Sequence, residues 1–442
     1  MFQTIDPRNS QVIKQYNYME MNEIEQIIDS AHSSGIEWRL SSIAHRRSLM
    51  EAFADLLERH TEELASLISS EMGKLNSEAV AEVKKCAFLA RHCAQHIVEW
   101  LTPKSLVADG IKHLVKLEPI GVTLSIMPWN FPFWQVLRAA IPSILGGNVI
   151  LLKPAESTTG CGLRLQQLFL AAGFPSGVFQ TIICSHQQAA VVIAHQHIRL
   201  VSFTGSCRAG REIGKVAGHN LKKCILELGG SDPFLVLEDA DLDKVISGAL
   251  IGRFLNAGQV CISSKRFIVH QKIAAEFTRR FVESVKELKI APLINQRAIA
   301  ALDLQVKQSI AQGATLLCGG KSDDKNLYYP PTVLSDVTNS MPVCQEEVFG
   351  PVAPILVAQS VEEMIDLAND SEFGLGALVW GEDRMNAEKV AEQIECGAVF
   401  VNSFVKSDPR VPFGGIKNSG FGVEMTEYGL YEVMNLKSYN IY

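Results

Sequence analysis

Cys261 ends the segment Asn256-Ala257-Gly258-Gln259-Val260-Cys261, where small and polar residues follow an apolar helical stretch from Val245 to Leu255. A thiol at a point where the backbone leaves regular structure is well placed to act as a nucleophile. Glu227 closes the apolar run Cys224-Ile225-Leu226 and precedes Leu228-Gly229-Gly230, a strand end followed by flexible glycines. A carboxylate in a partly dry cleft has its pKa raised and can serve as a base near neutral pH. Asn130 lies in PWNFP and Lys153 in LLKPAES. A thiol, a carboxylate base, an amide to hold an oxyanion and a lysine for a cofactor hydroxyl are the parts that aldehyde oxidation needs. The thiolate adds to the carbonyl, hydride leaves readily only from a tetrahedral adduct with a negative oxygen, and activated water then releases the acid from a thioester. Each residue alone has a plainer reading as an inert buried thiol, a solvated loop glutamate or a turn asparagine. Their combination in one chain outweighs those readings.

The other nine cysteines, at 86, 93, 161, 184, 207, 224, 318, 344 and 396, show no CxxC or Cys/His spacing. That argues against a metal site and against a disulfide framework, so the thiols are expected to be reduced.

The segments PWNFP (128–132), KPAE (153–156), FTGS (203–206), ELGG (227–230), GQVC (258–261), EEVFGP (346–351) and PFGGIKNSG (412–420) resemble, in order and spacing, those of the aldehyde dehydrogenase superfamily. The likeness extends over essentially the whole chain. Within the superfamily, ELGGSDPFLVLEDADL, ECGAVFVNSF and Arg138 most resemble the short, bacterial-type succinate-semialdehyde dehydrogenases. The resemblance implies an α/β fold with two doubly wound α/β domains and a small β oligomerisation arm. It also implies that Cys261 is the nucleophile, Glu227 the base for deacylation, and the Asn130 side-chain amide with the Cys261 backbone N–H the oxyanion donors. Losing one such donor typically costs roughly 10²–10³ in rate. Relatives that pass the acyl group to coenzyme A lack this glutamate, so its presence points to hydrolysis.

For the cofactor, the resemblance assigns Trp129, Lys153, Glu156, Gly205, Ser206, Glu347 and Phe349. Lys153 and Glu156 would reach the adenosine ribose, and Glu347 and Phe349 the nicotinamide ribose and ring. No GxGxxG motif occurs; Gly205-Ser206-Cys207-Arg208-Ala209-Gly210 resembles the superfamily's variant turn, whose glycines admit the cofactor closely. A carboxylate near the ribose 2′ position repels a 2′-phosphate, so NAD is preferred, with NADP possible.

Substrate selection is expected from Arg138, eight residues past Asn130 on the helix that PWNFP opens, so two helical turns would face it into the same cleft. Semialdehyde-oxidising relatives carry arginine there, where it can bind a carboxylate bidentately. The plainer alternative is a structural salt bridge. A second arginine of some relatives, six residues before the nucleophile, is Leu255 here, and Ser407 and Arg410 are candidates to compensate. Phe131, Trp134, Gln135 and Phe404 are expected as walls. Oxidation of succinate semialdehyde is the leading expectation. Another short aldehyde such as glutarate semialdehyde, or an inactive member kept for binding, are the alternatives.

The elements that must position these residues are visible in the periodicity. Between 120 and 227, β-like stretches (Gly121–Ile126, Val149–Leu152, Val178–Ile183, Leu200–Phe203, Lys223–Leu226) alternate with helical ones (Trp134–Leu145, Gly162–Ala172, Gln187–His195, Arg208–His219), the pattern of a parallel doubly wound sheet. The periodicity of Ile24, Ile27, Ile28 and Ala31, then Leu49, Phe53, Leu56 and Leu57, predicts helices over 22–99. Residues 1–99 and 119–228 are read as the NAD-binding domain and 229–417 as the catalytic domain. Residues 100–118 and 429–442 are read as the arm, whose pairing the resemblance implies. After Leu288-Lys289-Ile290 the chain runs straight to Ala291-Pro292-Leu293, where relatives carry roughly ten more residues in a surface loop.

Composition agrees. The chain has 442 residues, 47% hydrophobic and 20% charged, enough for two or three cores. A net charge of −7 offers no basic patch for nucleic acid or an anionic membrane. No run of about eighteen apolar residues appears. The start MFQTIDPRNSQ lacks a charged-then-apolar signal, so a cytoplasmic enzyme is expected, acting on a small aldehyde as a homodimer or homotetramer.

Overall fold

The computed structural model describes residues 1–322 and 326–442. Val122–Ile126, buried along its whole length, has the continuous apolar character of a strand covered on both faces. It forms the middle of a six-stranded sheet. The chain winds outward through Val149–Lys153 to Phe179–Thr181, then returns to the other side of Val122–Ile126 as Ile198–Thr204 and Lys223–Glu227. These five strands are parallel, and Gly420–Phe421 closes the edge antiparallel to Lys223–Glu227. The reversal of direction beside Val122–Ile126 makes a crevice at the carboxyl ends of the strands, the place where such sheets bind ligands. PWNFP and Gly205-Ser206 both leave the sheet there.

Helix Met21–Trp38 packs on this sheet, and Ile43–Arg59, Thr61–Met72 and Asn76–Trp100 pack outside it on helices Trp134–Gly146 and Thr159–Ala171. Helix Asn76–Trp100 buries Ala79, Ala87, Ala90 and Ala94, small residues that let neighbouring helices approach closely. Helix Trp134–Gly146 is buried on every side, which explains why its sequence is apolar apart from Gln135, Arg138 and Ser143.

Leu228–Ser231 carries the chain into a second, seven-stranded sheet of order Thr315–Cys318, Thr332–Ser335, Val352–Ala358, Ser264–His270, Asp232–Val236, Gly376–Trp380, Ala398–Val401. Only its Thr315–Cys318 edge pairs antiparallel. A third, three-stranded antiparallel sheet joins Lys104–Leu106, Lys112–Pro119 and Met434–Ile441, with register running from Met434↔Pro119 to Ile441↔Lys112.

Two features extend the sequence reading. An N-terminal hairpin pairs Phe2–Ile5 with Val12–Tyr16. Residues 418–428, assigned to no unit from sequence, fold back onto the first sheet through Gly420–Phe421. The shortened connection after the helix Gln271–Lys286 is anchored by a Leu293 N–H bond to the Leu327 carbonyl and an Ile294 N–H bond to Gln259 Oε1.

Candidate active site

The nucleophile loop begins where helix Leu242–Phe254 ends. Asn256, Ala257 and Gly258 take φ values of 52°, 55° and 72°, three successive left-handed residues. Such strain persists only when surroundings over-determine it. Here the Asn256 N–H donates to Glu78 Oε1 at 2.9 Å, and its side-chain amide donates to the carbonyls of Asn130 and Gln259 at 3.1 and 3.3 Å. Gly258 is required because a Cβ there would press into the Gly350 carbonyl. Lys265, fully buried, donates from Nζ to the carbonyls of Cys261 and Val260 at 2.5 and 3.0 Å. Cys261 emerges from this bracing half-buried, just before strand Ser264–His270.

The oxyanion loop is tied to the same framework. Asn130 donates from Nδ2 to the Gln259 carbonyl at 3.0 Å, which leaves its second amide hydrogen for a ligand. Buried Glu82 accepts the N–H groups of Phe133 and Trp134 at 3.0 Å each and is paired with buried Lys74. Lys74 also sits 3.6 Å from the Phe131 ring centroid.

Two clefts meet at the thiol. One, of about 210 Å³, is lined by Cys261, Phe131, Trp134, Gln135, Arg138, Phe404 and Ser407, with Leu255, Lys85, Lys406 and Phe413. The other, of about 500 Å³, holds Cys261 with Trp129, Asn130, Gly205, Ser206, Glu347 and Phe349. In it the Trp129 and Phe349 rings stand edge to face at 5.8 Å. Ser206 caps helix Cys207–His219, so the positive end of that helix faces the cleft, a site suited to phosphate. Glu347 is held by the Gly230 N–H at 3.3 Å. Lys153 lines a third cleft, of about 510 Å³, with Arg208, Glu212 and His186.

Burial dominates the electrostatics. It pushes the Cys261 thiol up to about 12, against the opposing pull of Arg138 and Lys265. Glu227 is raised well above the carboxylate range by burial, then by the charge of Glu424, with Arg138 working the other way. Glu424 is raised by burial too, and Arg138 opposes it.

Four placements differ from the sequence reading. Arg138 does face the cleft, yet it already has a buried counter-ion in Glu424 and lies 4.5 Å from the Phe413 ring, so the salt-bridge alternative holds as well. Arg410 is no part of the cleft wall: its guanidinium turns back onto Asp408, two residues earlier, at 2.7 and 2.9 Å and is otherwise exposed. Glu156 does not line the Lys153 cleft, because its carboxylate accepts the Tyr18 hydroxyl at 2.6 Å. Glu227 itself lines neither cleft; its carboxylate lies buried beside Gly414. Sequence reasoning missed Glu424, Lys265, Glu78 and Lys85. Each is a lone charge in an ordinary local context, and only the fold brings it to the site.

A thiol between an aromatic-walled cleft and a phosphate-accepting crevice, in two wound α/β units joined through ELGG, defines an enzyme that moves hydride from a thiol-bound substrate to a dinucleotide. The chain belongs to the aldehyde dehydrogenase family, whose model matches residues 1–439. Over 446 aligned residues it is 42% identical to a probable NADP-dependent succinate-semialdehyde dehydrogenase of Synechocystis, covering 98% of each chain. It is also 42% identical to a succinate semialdehyde dehydrogenase of Escherichia coli that uses NAD(P), over 98% of this chain and 96% of that one. The crystal structure of succinic semialdehyde dehydrogenase from Streptococcus pyogenes with NADP+ superposes with a TM-score of 0.97 at 35% identity, covering 100% of both chains.

Proposed function

We propose that this enzyme oxidises succinate semialdehyde to succinate with NAD(P), through a thioester on Cys261 that water cleaves with Glu227 as base. The observation that carries this reading is the small cleft at the thiol, walled by Phe131, Trp134 and Phe404 and lined by the cations Arg138, Lys85 and Lys406. Apolar walls suit the short methylene chain and the cations suit a terminal carboxylate. The likeness to succinate-semialdehyde dehydrogenases supports the same reading.

A cofactor fits the opposite side. Trp129, Gly205, Ser206, Glu347 and Phe349 would hold its nicotinamide half and phosphates, and Lys153 its adenosine ribose; bound there, it supplies the hydride acceptor. With Glu156 engaged by Tyr18, a ribose substituent in this cleft would meet two cations, Lys153 and Arg208, against one carboxylate, Glu212, and we expect NADP to be accepted beside NAD.

Cys261 must lose its proton to attack, and in this buried setting a carboxylate raised by its own burial is the matching acceptor. The Asn130 amide and the Cys261 N–H then stabilise the oxyanion. After hydride departure Glu227, its charge moderated by Arg138 and Glu424, draws the proton from the attacking water. The three-stranded sheet is proposed to assemble a homodimer or homotetramer, and the enzyme to work in the cytoplasm.

The test is NAD(P)H formation with succinate semialdehyde, glutarate semialdehyde and butanal. A higher kcat/KM on succinate semialdehyde than on both others is expected. Equal rates on butanal would remove the semialdehyde assignment while leaving an aldehyde dehydrogenase.

A further inference from the structure

Three cations line the cleft at the thiol, and they differ in what already neutralises them. Arg138 has Glu424. Lys406 is exposed to water. Lys85 is half-buried, with Nζ 3.8 Å from the Trp134 ring centroid, and makes no ion pair or hydrogen bond among the described residues.

The acids closest to Lys85 in the electrostatic balance, Glu82 and Asp408, are committed elsewhere. Glu82 is taken by Lys74 and by two backbone N–H groups, and Asp408 by Arg410. A half-buried ammonium with only an aromatic face as partner carries a desolvation cost that a cation–π contact offsets only in part. Consistent with that, burial and the nearby Arg138 charge lower its pKa to about 8. A bound anion would relieve both effects. Leu255, where some relatives carry a second arginine, lines the same cleft without a charge.

We propose that Lys85, reaching the cleft from helix Asn76–Trp100, is the specificity-determining residue that receives the carboxylate of the semialdehyde, with Arg138 held by Glu424 as a supporting rather than a free charge. This rests on the semialdehyde reading above. It deepens that reading by moving the carboxylate partner from the PWNFP helix to an element distant in sequence from every recognised motif.

The test uses the full-length enzyme and two variants, Lys85→Met, which keeps an unbranched side chain over Trp134 without charge, and Lys85→Arg, which keeps the charge. With succinate semialdehyde, Lys85→Met should lower kcat/KM by roughly 30-fold or more, chiefly through KM, because a desolvated carboxylate loses its partner. With butanal the loss should stay under about threefold, within the range of a small packing change. Lys85→Arg should recover most of the loss. Succinate should inhibit butanal oxidation by the wild type and inhibit the Met variant more weakly by the same factor. If wild type prefers succinate semialdehyde and Lys85→Met keeps that preference, the role of Lys85 is overturned and the substrate reading stands. If wild type shows no such preference, both fall together. Equal losses on the two aldehydes would assign Lys85 to packing of Trp134 and overturn the proposal.

Discussion

Arg138 stands between two buried carboxylates, and that position changes what its removal should do. From sequence it is a carboxylate clamp whose loss would spare uncharged substrates. With Glu424 as its partner and Glu227 within its field, Arg138→Ala would leave Glu424 buried without a counter-ion and push Glu227 further toward the neutral form. Oxidation of butanal should therefore fall along with that of succinate semialdehyde, by at least about tenfold each. Measured kcat/KM on both aldehydes checks this, and a loss confined to the semialdehyde would return Arg138 to the clamp. Glu227→Gln should slow deacylation more than hydride transfer, visible in rapid mixing as a burst of NAD(P)H followed by slow turnover. A variant slowed before the burst would place Glu227 in thiol activation instead. Lys85 adds a pH dependence. Its ammonium, lowered to about 8, is charged below that pH and lost as pH rises through it. Of the groups that face it, buried Cys86 stays a neutral thiol, Asp408 stays ionised, Glu82 is paired with Lys74, and Arg138 with Glu424. The ratio of kcat/KM for succinate semialdehyde over butanal should fall between pH 7 and 9, while titration of Cys261 and Glu227 cancels in the ratio. A ratio flat with pH would contradict it.

Helix Asn76–Trp100 couples the pieces of the site. Glu78 and Glu82 are four apart and so share one face. Glu78 holds the strained Asn256 of the nucleophile loop, and Glu82 holds the start of helix Trp134–Gly146, which carries Gln135 and Arg138. Lys85, three residues after Glu82, lies on the next turn. A single rigid helix thereby sets the distance from thiol to oxyanion donor to substrate cations. Glu82→Gln should destabilise the protein by about 3–5 kcal/mol, because it isolates the Lys74 ammonium in the core. Calorimetry reads this as a lowered Tm, and an unchanged Tm would mean that the pair contributes nothing net. The double variant Lys74→Met with Glu82→Gln should recover part of the loss.

For the molecule as a whole, the three-stranded sheet is the part least satisfied by a single chain. Met434–Ile441 is an edge strand, and Leu106, Val107, Ile111, Leu436, Ile441 and Tyr442 expose apolar surface on or beside this sheet. Edges and apolar patches of this kind invite pairing with another chain. If this sheet joins copies of the chain, as proposed above, Leu436→Asp combined with Ile441→Asp should lower the molecular mass seen by sedimentation velocity, with the far-ultraviolet circular dichroism retained. An assembly that survives both charges would place the interface elsewhere.

Much of this protein is determined by its sequence alone. The alternation of apolar strands and helices between 120 and 227 follows from periodicities that burial on two faces imposes, and the observed strands lie within a few residues of those read from it. Cys261, Asn130 and Glu227 stand out in the sequence as candidates because each sits in a short motif at an element end, where local chemistry and backbone geometry are written together. Partnership between distant charges is not written locally. Whether Arg138 meets a substrate or Glu424, whether Glu156 faces a ribose or Tyr18, and whether Arg410 points inward depend on which side chains the fold brings within a few ångströms. Glu424 reaches Arg138 only because Gly420–Phe421 closes the edge of the first sheet, and Lys85 reaches the cleft only because its helix packs on the one that PWNFP begins. Sequence spacing carries the 3.6-residue and two-residue periods of elements, so it reports faces; the pairing of charges across faces is a property of tertiary packing.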